Sequence, residues 1–430
     1  MKDTASTSRH ANWTLALLTC VYLVHSVDRQ IISVVMEPIR HEFGASDKML
    51  GATALGYSIA FALACLPAGW LIDRTRRVQL LAALLGAWSG LTALSGFAKS
   101  FIVLLLARAG VGAAEAGASP TIISLISDYF EPRRRSFAIG VCYMSTAFGV
   151  SASFLIGSLV AAAYGWRAAF WVAGIPGLVL AGAIFATLRE PARGATDSAG
   201  EAQGSIIAPP MFSALSYIRR DRALLHLTIA ITLSALVFAS LWIWCGSILI
   251  RFHRFSLPEV GRLVAFGGLF QAAGSWLGGY IGQRAAQKST ANFGYVAAFC
   301  ALMAVPFGIG FALSTSTVGA VIGVCGMSLF NGGWAGPGFG LVVTVAPAPV
   351  RGVVVSFIQL FVNLIGTGVG PFLTGALSDS MPGGLQGAVA LTFALNLWSV
   401  VHYLIATRAA KRTLPQNAPV PQVGTAQLVH

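Results

Sequence analysis

Twelve apolar runs, each long enough to cross a lipid bilayer, leave this chain few folds to adopt. They lie near residues 13–36, 49–72, 79–97, 101–124, 136–163, 168–188, 223–250, 260–283, 291–313, 316–345, 352–377 and 385–407. A spanning helix needs about 20 mostly apolar residues, and in hydrocarbon each backbone N–H and C=O must be paired within its own segment. The expected fold is therefore an all-α membrane protein with twelve transmembrane helices. Composition points the same way, since 56% of the 430 residues are hydrophobic and only 10% charged, against about a quarter charged in soluble domains. The first run exceeds the ~7–15 residues of a signal h-region. It is also interrupted by Asp28-Arg29, so it reads as a retained span.

Between the sixth and seventh runs, Arg189 to Arg222 form a long polar stretch rich in Gly, Ser, Ala and Pro, the composition of a linker. The expected organisation is an N-terminal segment 1–12, a six-helix bundle 13–188, a linker loop 189–222, a second six-helix bundle 223–407 and a tail 408–430. Late in the linker, apolar positions 211, 212, 215 and 218 followed by Arg219 and Arg220 predict a short amphipathic helix at the membrane surface. With the N-terminus in the cytoplasm, the inside segments hold 19 of the 28 Lys and Arg residues and the outside segments 7; Arg29 and Arg108 lie within spans. The positive-inside rule then makes both termini cytoplasmic, and the expected location is a bacterial inner membrane. The membrane also accounts for the formal charge of +13, because the basic residues are dispersed between spans rather than gathered for nucleic acid. All six cysteines fall in apolar runs without CxxC spacing, which argues against a disulfide or metal framework. No metal or cofactor is expected. The chain shows no nucleophile elbow or phosphate loop, so it does not read as an enzyme.

The two halves echo one another. Gly69-Trp-Leu-Ile-Asp73-Arg74 closes the second span, and Gly279-Tyr-Ile-Gly-Gln283-Arg284 closes the eighth 210 residues later; Arg135 before the fifth span matches Arg351 before the eleventh, 216 later. Parallel six-helix repeats are a transporter plan, with substrate bound near the midplane between them. At the offset of 216, Glu115 falls against Asn331 and Arg108 against Val324, so the second half keeps the scaffold without these charges.

Charges inside spans are expensive, about 2.5–3.5 kcal/mol each on insertion scales, and usually face a bundle interior or a water-filled path. Arg108 and Glu115 stand seven residues apart in the fourth run, nearly two helical turns and roughly 10 Å. Asp28 lies roughly 22 Å up the first helix, counted at 1.5 Å per residue, which brings it level with Arg108 in a core about 30 Å thick. This predicts an Asp28–Arg108 ion pair, with Glu115 facing the same cavity nearer the cytoplasm. Arg29, about 100° around its helix from Asp28, is expected to point elsewhere. His25, one turn before Asp28, reads as a packed neutral histidine, with membership of a proton relay as the alternative. A buried carboxylate is pushed towards protonation by desolvation and towards ionisation by a nearby guanidinium, so a change in water access can load or release a proton. Glu115 is the candidate proton carrier and Asp28 the paired switch. In the second half, Trp242, Trp244, Gln271, Asn331, Trp334, Gln359 and Asn363 are the mid-span polar or large aromatic residues. Such a wall, opposite titratable groups, suits an amphipathic solute with one polar end.

Gly69-x-x-x-Asp73-Arg74-x-Arg76-Arg77 resembles the loop signature of the major facilitator superfamily, and the twelve runs and central loop match that family over almost the whole chain. The resemblance implies a cytoplasmic gate formed by Gly69, Asp73, Arg74 and Arg77, with Gly69 allowing close backbone approach. Asp28-Arg29 together with Arg108-Ala-Gly-Val-Gly-Ala-Ala-Glu115 and Pro120 resembles the spinster branch. Its animal members are associated with export of lysophospholipids and sphingosine phosphate. It implies a proton-coupled transporter, expected to act as a monomer, whose partners are a small amphipathic solute, protons and the bilayer. The Gly-Pro that antiporters place on the fifth helix is absent from Gly149-Val-Ser-Ala-Ser153 and appears instead at Gly370-Pro371, which leaves symport and antiport open. The competing readings are an organic acid or drug transporter with Arg108 as the carboxylate-binding cation, and a transport-inactive membrane sensor.

Overall fold

The computed structural model describes residues 2–193 and 213–413. The middle of the expected linker, residues 211 and 212 of its amphipathic helix and the tail beyond Thr413 lie outside the described residues. The first half contains α1 (Lys2–Val34), α2 (Met36–Phe43), α3 (Asp47–Arg74), α4 (Arg77–Ser95), α5 (Phe101–Glu115), α6 (Ala118–Tyr129), α7 (Pro132–Tyr164) and α8 (Trp166–Thr187). After the linker come α9 (Ser213–Arg220), α10 (Arg222–His253), α11 (Leu257–Ala286), α12 (Phe293–Leu313), α13 (Thr317–Gly333), α14 (Ala335–Val345), α15 (Arg351–Phe361), α16 (Gly370–Ser380) and α17 (Gly384–Thr413). No strand occurs among the described residues.

Local chemistry sets the helix ends. Ser46 and Ser100 accept from the amides of Met49 and Val103 at the starts of α3 and α5, each satisfying an orphan N–H of a first turn. Gly165 turns α7 into α8 with φ of 84°, a conformation that a side chain would strain. The fourth span breaks at Ala116-Gly117 between α5 and α6, and its counterpart in the second half breaks at Trp334 between α13 and α14. The eleventh span carries a π-helical stretch, Val362–Val369, directly before Gly370-Pro371. Pro371 has no N–H and its ring would crowd the carbonyl four residues back, which a wider turn accommodates.

Eleven helical segments among the described residues are long and apolar enough to cross a membrane, one fewer than the twelve runs. The eighth run, within α11, is not among them, because its glycines together with Gln271, Ser275 and Tyr280 dilute its middle. Contacts divide the chain into two compact units, one of Met1–Ser205, Trp242–Ala265 and Pro371–Asp379, the other of Ile206–Leu241, Phe266–Gly370 and Ser380–His430. This differs from a division at the linker, since pieces of α10, α11 and α16 pack with the first half. In the first unit α1 packs on α7, α3 on α5 and α4 on α8, around a core that includes Leu18, Leu81, Trp88 and Leu125. In the second, α12 packs on α13 and α17 around Leu227, Ala297, Leu341 and Tyr403. Large apolar side chains such as Leu63, Phe137 and Val179 remain exposed, as a surface solvated by lipid allows.

Candidate functional site

α1 and α5 bring the first two intramembrane charges together. Arg108 Nη1 lies 3.0 Å from Asp28 Oδ1, and Nη2 donates to the Asp28 carbonyl at 3.3 Å. A third helix, α4, contributes Thr92, whose hydroxyl donates to the same Oδ1. Asp28 is 0% exposed, Glu115 1% and Arg108 2%. They are therefore enclosed and do not line an open cavity, contrary to the expectation for Glu115. Sealed in this way, an ion pair avoids a large desolvation cost only through such multiple hydrogen bonding.

Glu115, the last residue of α5, is reached from two other helices. The Tyr57 hydroxyl of α3 donates to its Oε2, and His25 Nδ1 of α1 lies 3.4 Å from the same oxygen. His25 also stands edge-on to Trp88, 6.3 Å between ring centroids. Arg29 does not point away from this group: its guanidinium lies over the Tyr57 ring, 5.5 Å from the centroid, and that of Arg108 lies 5.9 Å from the same centroid. The single-helix angle misjudged Arg29 because a long side chain reaches a ring supplied by a different helix. Among the described residues, Asp28 Oδ2 and Glu115 Oε1 are buried with no hydrogen-bond partner. The approach of α3 to α5 depends on Gly112, where a Cβ would stand 2.3 Å from the Tyr57 carbonyl oxygen. Only glycine admits that contact, which sets Tyr57 against Glu115. Tyr57 and Thr92 escaped the sequence reading because a single hydroxyl in an apolar run has the appearance of packing.

At the basic loop the gate-motif residues separate. Arg77 is 1% exposed, paired with Asp128 of α6 and 3.0 Å from Glu190 Oε1, with Ser124 Oγ at 2.9 Å. Glu190 also accepts from the Val78 amide at 2.8 Å. Arg77 thus ties the start of α4 to α6 and to the segment after α8. Asp73 and Arg74 are exposed, Arg74 stacking on the Trp70 ring at 4.4 Å. Close backbone approach at Gly69 does not occur, since a Cβ there would meet nothing within 4 Å.

A charged cluster that sequence reasoning missed lies elsewhere in the first unit. Arg251 of α10 binds both Asp47 oxygens at 2.7 and 2.8 Å and Glu37 Oε1 at 2.8 Å. Asp379 of α16 accepts from the Asp47 and Lys48 amides at 3.1 and 2.9 Å, a carboxylate on the N-terminus of α3. Glu37 and Asp47 are nearly as buried as the intramembrane set. Read from sequence, these were charges at helix ends with no sign of their partners.

The candidate wall residues disperse. Trp242 packs on Phe154 at 5.9 Å, and Trp244 Nε1 donates to the Pro371 carbonyl at 3.1 Å. Trp334 lies in the apolar core of the second unit and Asn331 is buried, with neither its amide atoms nor the Trp334 indole N–H hydrogen-bonded among the described residues. Gln271 is half-buried, Gln359 is exposed, and Asn363 Nδ2 donates to the Gln359 carbonyl at 3.0 Å.

Comparison with known proteins agrees with this architecture. The chain is 28% identical over 381 residues to a probable L-galactonate transporter of Escherichia coli, covering 85% of this chain and 83% of that one. It is 27% identical over 393 residues to the protein spinster of Drosophila melanogaster, covering 88% and 63%. Among solved structures it resembles a bacterial homolog of the human lysosomal transporter spinster, crystallised in an inward-facing and unoccupied conformation, with TM-score 0.83, 25% identity and coverage of 94% and 98%. The model of the major facilitator superfamily matches residues 18–371, and the chain belongs to that superfamily of membrane transporters.

Proposed function

We propose that the chain is a secondary active transporter that moves a small amphipathic, lysolipid-like solute by alternating access, coupled to protons. The observation that carries this reading is the pair of buried carboxylates, each held through one oxygen and bare at the other. A bare buried oxygen is a place for a proton, and protonation there relieves the cost of an incompletely solvated charge. Glu115 carries the proton between conformations that differ in its access to water. Asp28, paired to Arg108, switches helix contacts between α1 and α5, while Asp73 and Arg74 serve a gate whose fixed end is Arg77. Trp242, Gln271, Asn331, Trp334, Gln359 and Asn363 supply the less charged wall in other states of the cycle. The protein acts as a monomer in a bacterial inner membrane, with both termini cytoplasmic.

A second reading, transport of an organic acid, is favoured by the relative named for L-galactonate. Against it stands the enclosure of Arg108 by Asp28, which leaves the guanidinium no free face for a substrate carboxylate in this state. Displacement of bound solute by lysolipids and not by short sugar acids selects the first reading. For proton coupling, Glu115→Gln in proteoliposomes is expected to abolish the response of uptake to an imposed pH gradient while solute exchange continues. Retained gradient dependence removes Glu115 from the carrier role.

A further inference from the structure

The second unit holds a groove of its own. Its volume is about 640 Å³, and it runs between α11, α12 and α13, within the range of small-molecule sites. One wall is a stripe of α11 at helical spacing, Gly274, Leu277, Gly278, Ile281 and Arg284, continued by Lys288; Phe299 of α12 and Phe330 of α13 face it. Gly278 lets the backbones of α11 and α13 approach, since a Cβ there would stand 2.2 Å from the Gly333 carbonyl oxygen. From Gly274 to Arg284 the stripe is about 15 Å long at 1.5 Å per residue, and one leaflet of a ~30 Å hydrocarbon core is equally deep. Leu277, Ile281 and Phe299 are exposed along it.

The basic end is built and, among the described residues, lacks a counter-charge. Asn292 Nδ2 donates to the Ala285 carbonyl at 3.0 Å and pins the chain between α11 and α12. Arg284 stacks on Tyr280 at 4.6 Å, and Lys411 of α17 places its ammonium 4.7 Å from the ring of Tyr295, itself a groove residue. The segments of the second unit carry nine Lys and Arg residues and a single carboxylate, Asp221. Asp221 is engaged at the start of α10, where it accepts from the Leu224 amide at 2.9 Å. Neither Arg284 nor Lys288 forms an ion pair among the described residues.

We propose that this groove is a binding site for one anionic diacyl phospholipid of the cytoplasmic leaflet, its headgroup phosphate held by Arg284 and Lys288 and an acyl chain lying along Leu277, Ile281 and Phe299. Basic pockets between transmembrane helices on the cytoplasmic side are suited to anionic headgroups, and the match of groove length to leaflet depth selects a membrane lipid over a free anion. The site lies within the second unit; it rests on the proposed orientation, with both termini cytoplasmic, and not on the solute or its coupling.

Native mass spectrometry of the detergent-purified full chain, titrated with dioleoyl-phosphatidylglycerol or dioleoyl-phosphatidylcholine, tests it. The expected result is about tenfold tighter retention of the anionic lipid, falling to the level of the zwitterionic one in the double variant Arg284→Gln/Lys288→Gln. The groove-filling Ile281→Trp is expected to lower anionic retention with both cations intact, and inorganic phosphate is expected not to displace the lipid. Equal retention of both lipids, wild-type retention in the double variant, indifference to Ile281→Trp, or displacement by phosphate would each overturn the proposal. Thermal stability of each variant without added lipid, compared with wild type, separates loss of the site from loss of the fold.

Discussion

Asp28 and Arg108 are held in a contact that neither can leave alone without stranding a charge in a sealed interior. Removing one partner of a buried pair costs about 3–5 kcal/mol, because the other stays desolvated and uncompensated. Asp28→Arg and Arg108→Asp are each expected to lower folded yield and thermal stability sharply, and the double exchange is expected to recover part of both. An exchange no better than the worse single change, measured by melting in detergent, counts against direct coupling. The depth of both charges could be counted in the sequence, because helical rise is constant. Their neutral partners could not. Thr92 and Tyr57 each present one hydroxyl in an apolar run, and only the packing of α3 and α4 shows where it points. Nor does a lone histidine name its partner: the Nδ1 atoms of His226 in α10 and His402 in α17 lie 2.6 Å apart.

At the level of elements, short α2 and the ends of longer helices carry ionic links that fix the first unit. Arg251 joins α10 to Glu37 of α2 and Asp47 of α3, and Arg251→Ala leaves buried Glu37 without this cation and Asp47 with only Arg40, at 3.6 Å. A loss of about 3–5 kcal/mol is expected, read as a fall of several degrees in melting temperature, with Arg251→Lys recovering part of it. A smaller, pH-dependent link joins α2 to α8, where Arg167 Nη1 and Trp166 Nε1 each lie 2.7 Å from Glu42 Oε2. The Arg167 hydrogen bond, aided by Trp166, holds the Glu42 carboxyl down at about 2, from an ordinary 4.5. A carboxyl depressed on folding stabilises fully above its unfolded value, and that stabilisation fades as pH falls towards the folded one. Glu42→Gln is therefore expected to lower melting temperature modestly and equally at pH 7 and pH 5.5, the gap from wild type narrowing below about pH 4.5. A gap that widens on acidification would contradict the assignment. The pair is largely exposed, so the effect is small.

For the molecule as a whole, the apolar runs, the repeat and the family were legible because length and period survive without knowledge of contacts. The membership of the two units was not. Pieces of α10, α11 and α16 group with the first half, where Arg251 and Asp379 meet the start of α3, and no local pattern announces a partner two hundred residues away. The basic-loop motif was legible as a motif but not in its contacts, since the carboxylates of Asp128 and Glu190 that hold Arg77 lie outside it. Gly112 carries a last consequence. The distance from Tyr57 to Glu115 is set by a missing methyl group on the neighbouring turn, so under the proposed proton coupling the acidity at which transport responds is adjustable by steric bulk alone. Gly112→Ala should move the midpoint of the pH–transport profile although no ionisable group has changed, and an unmoved midpoint would refute this. A survey for coupling residues confined to acids and bases would pass over such a position.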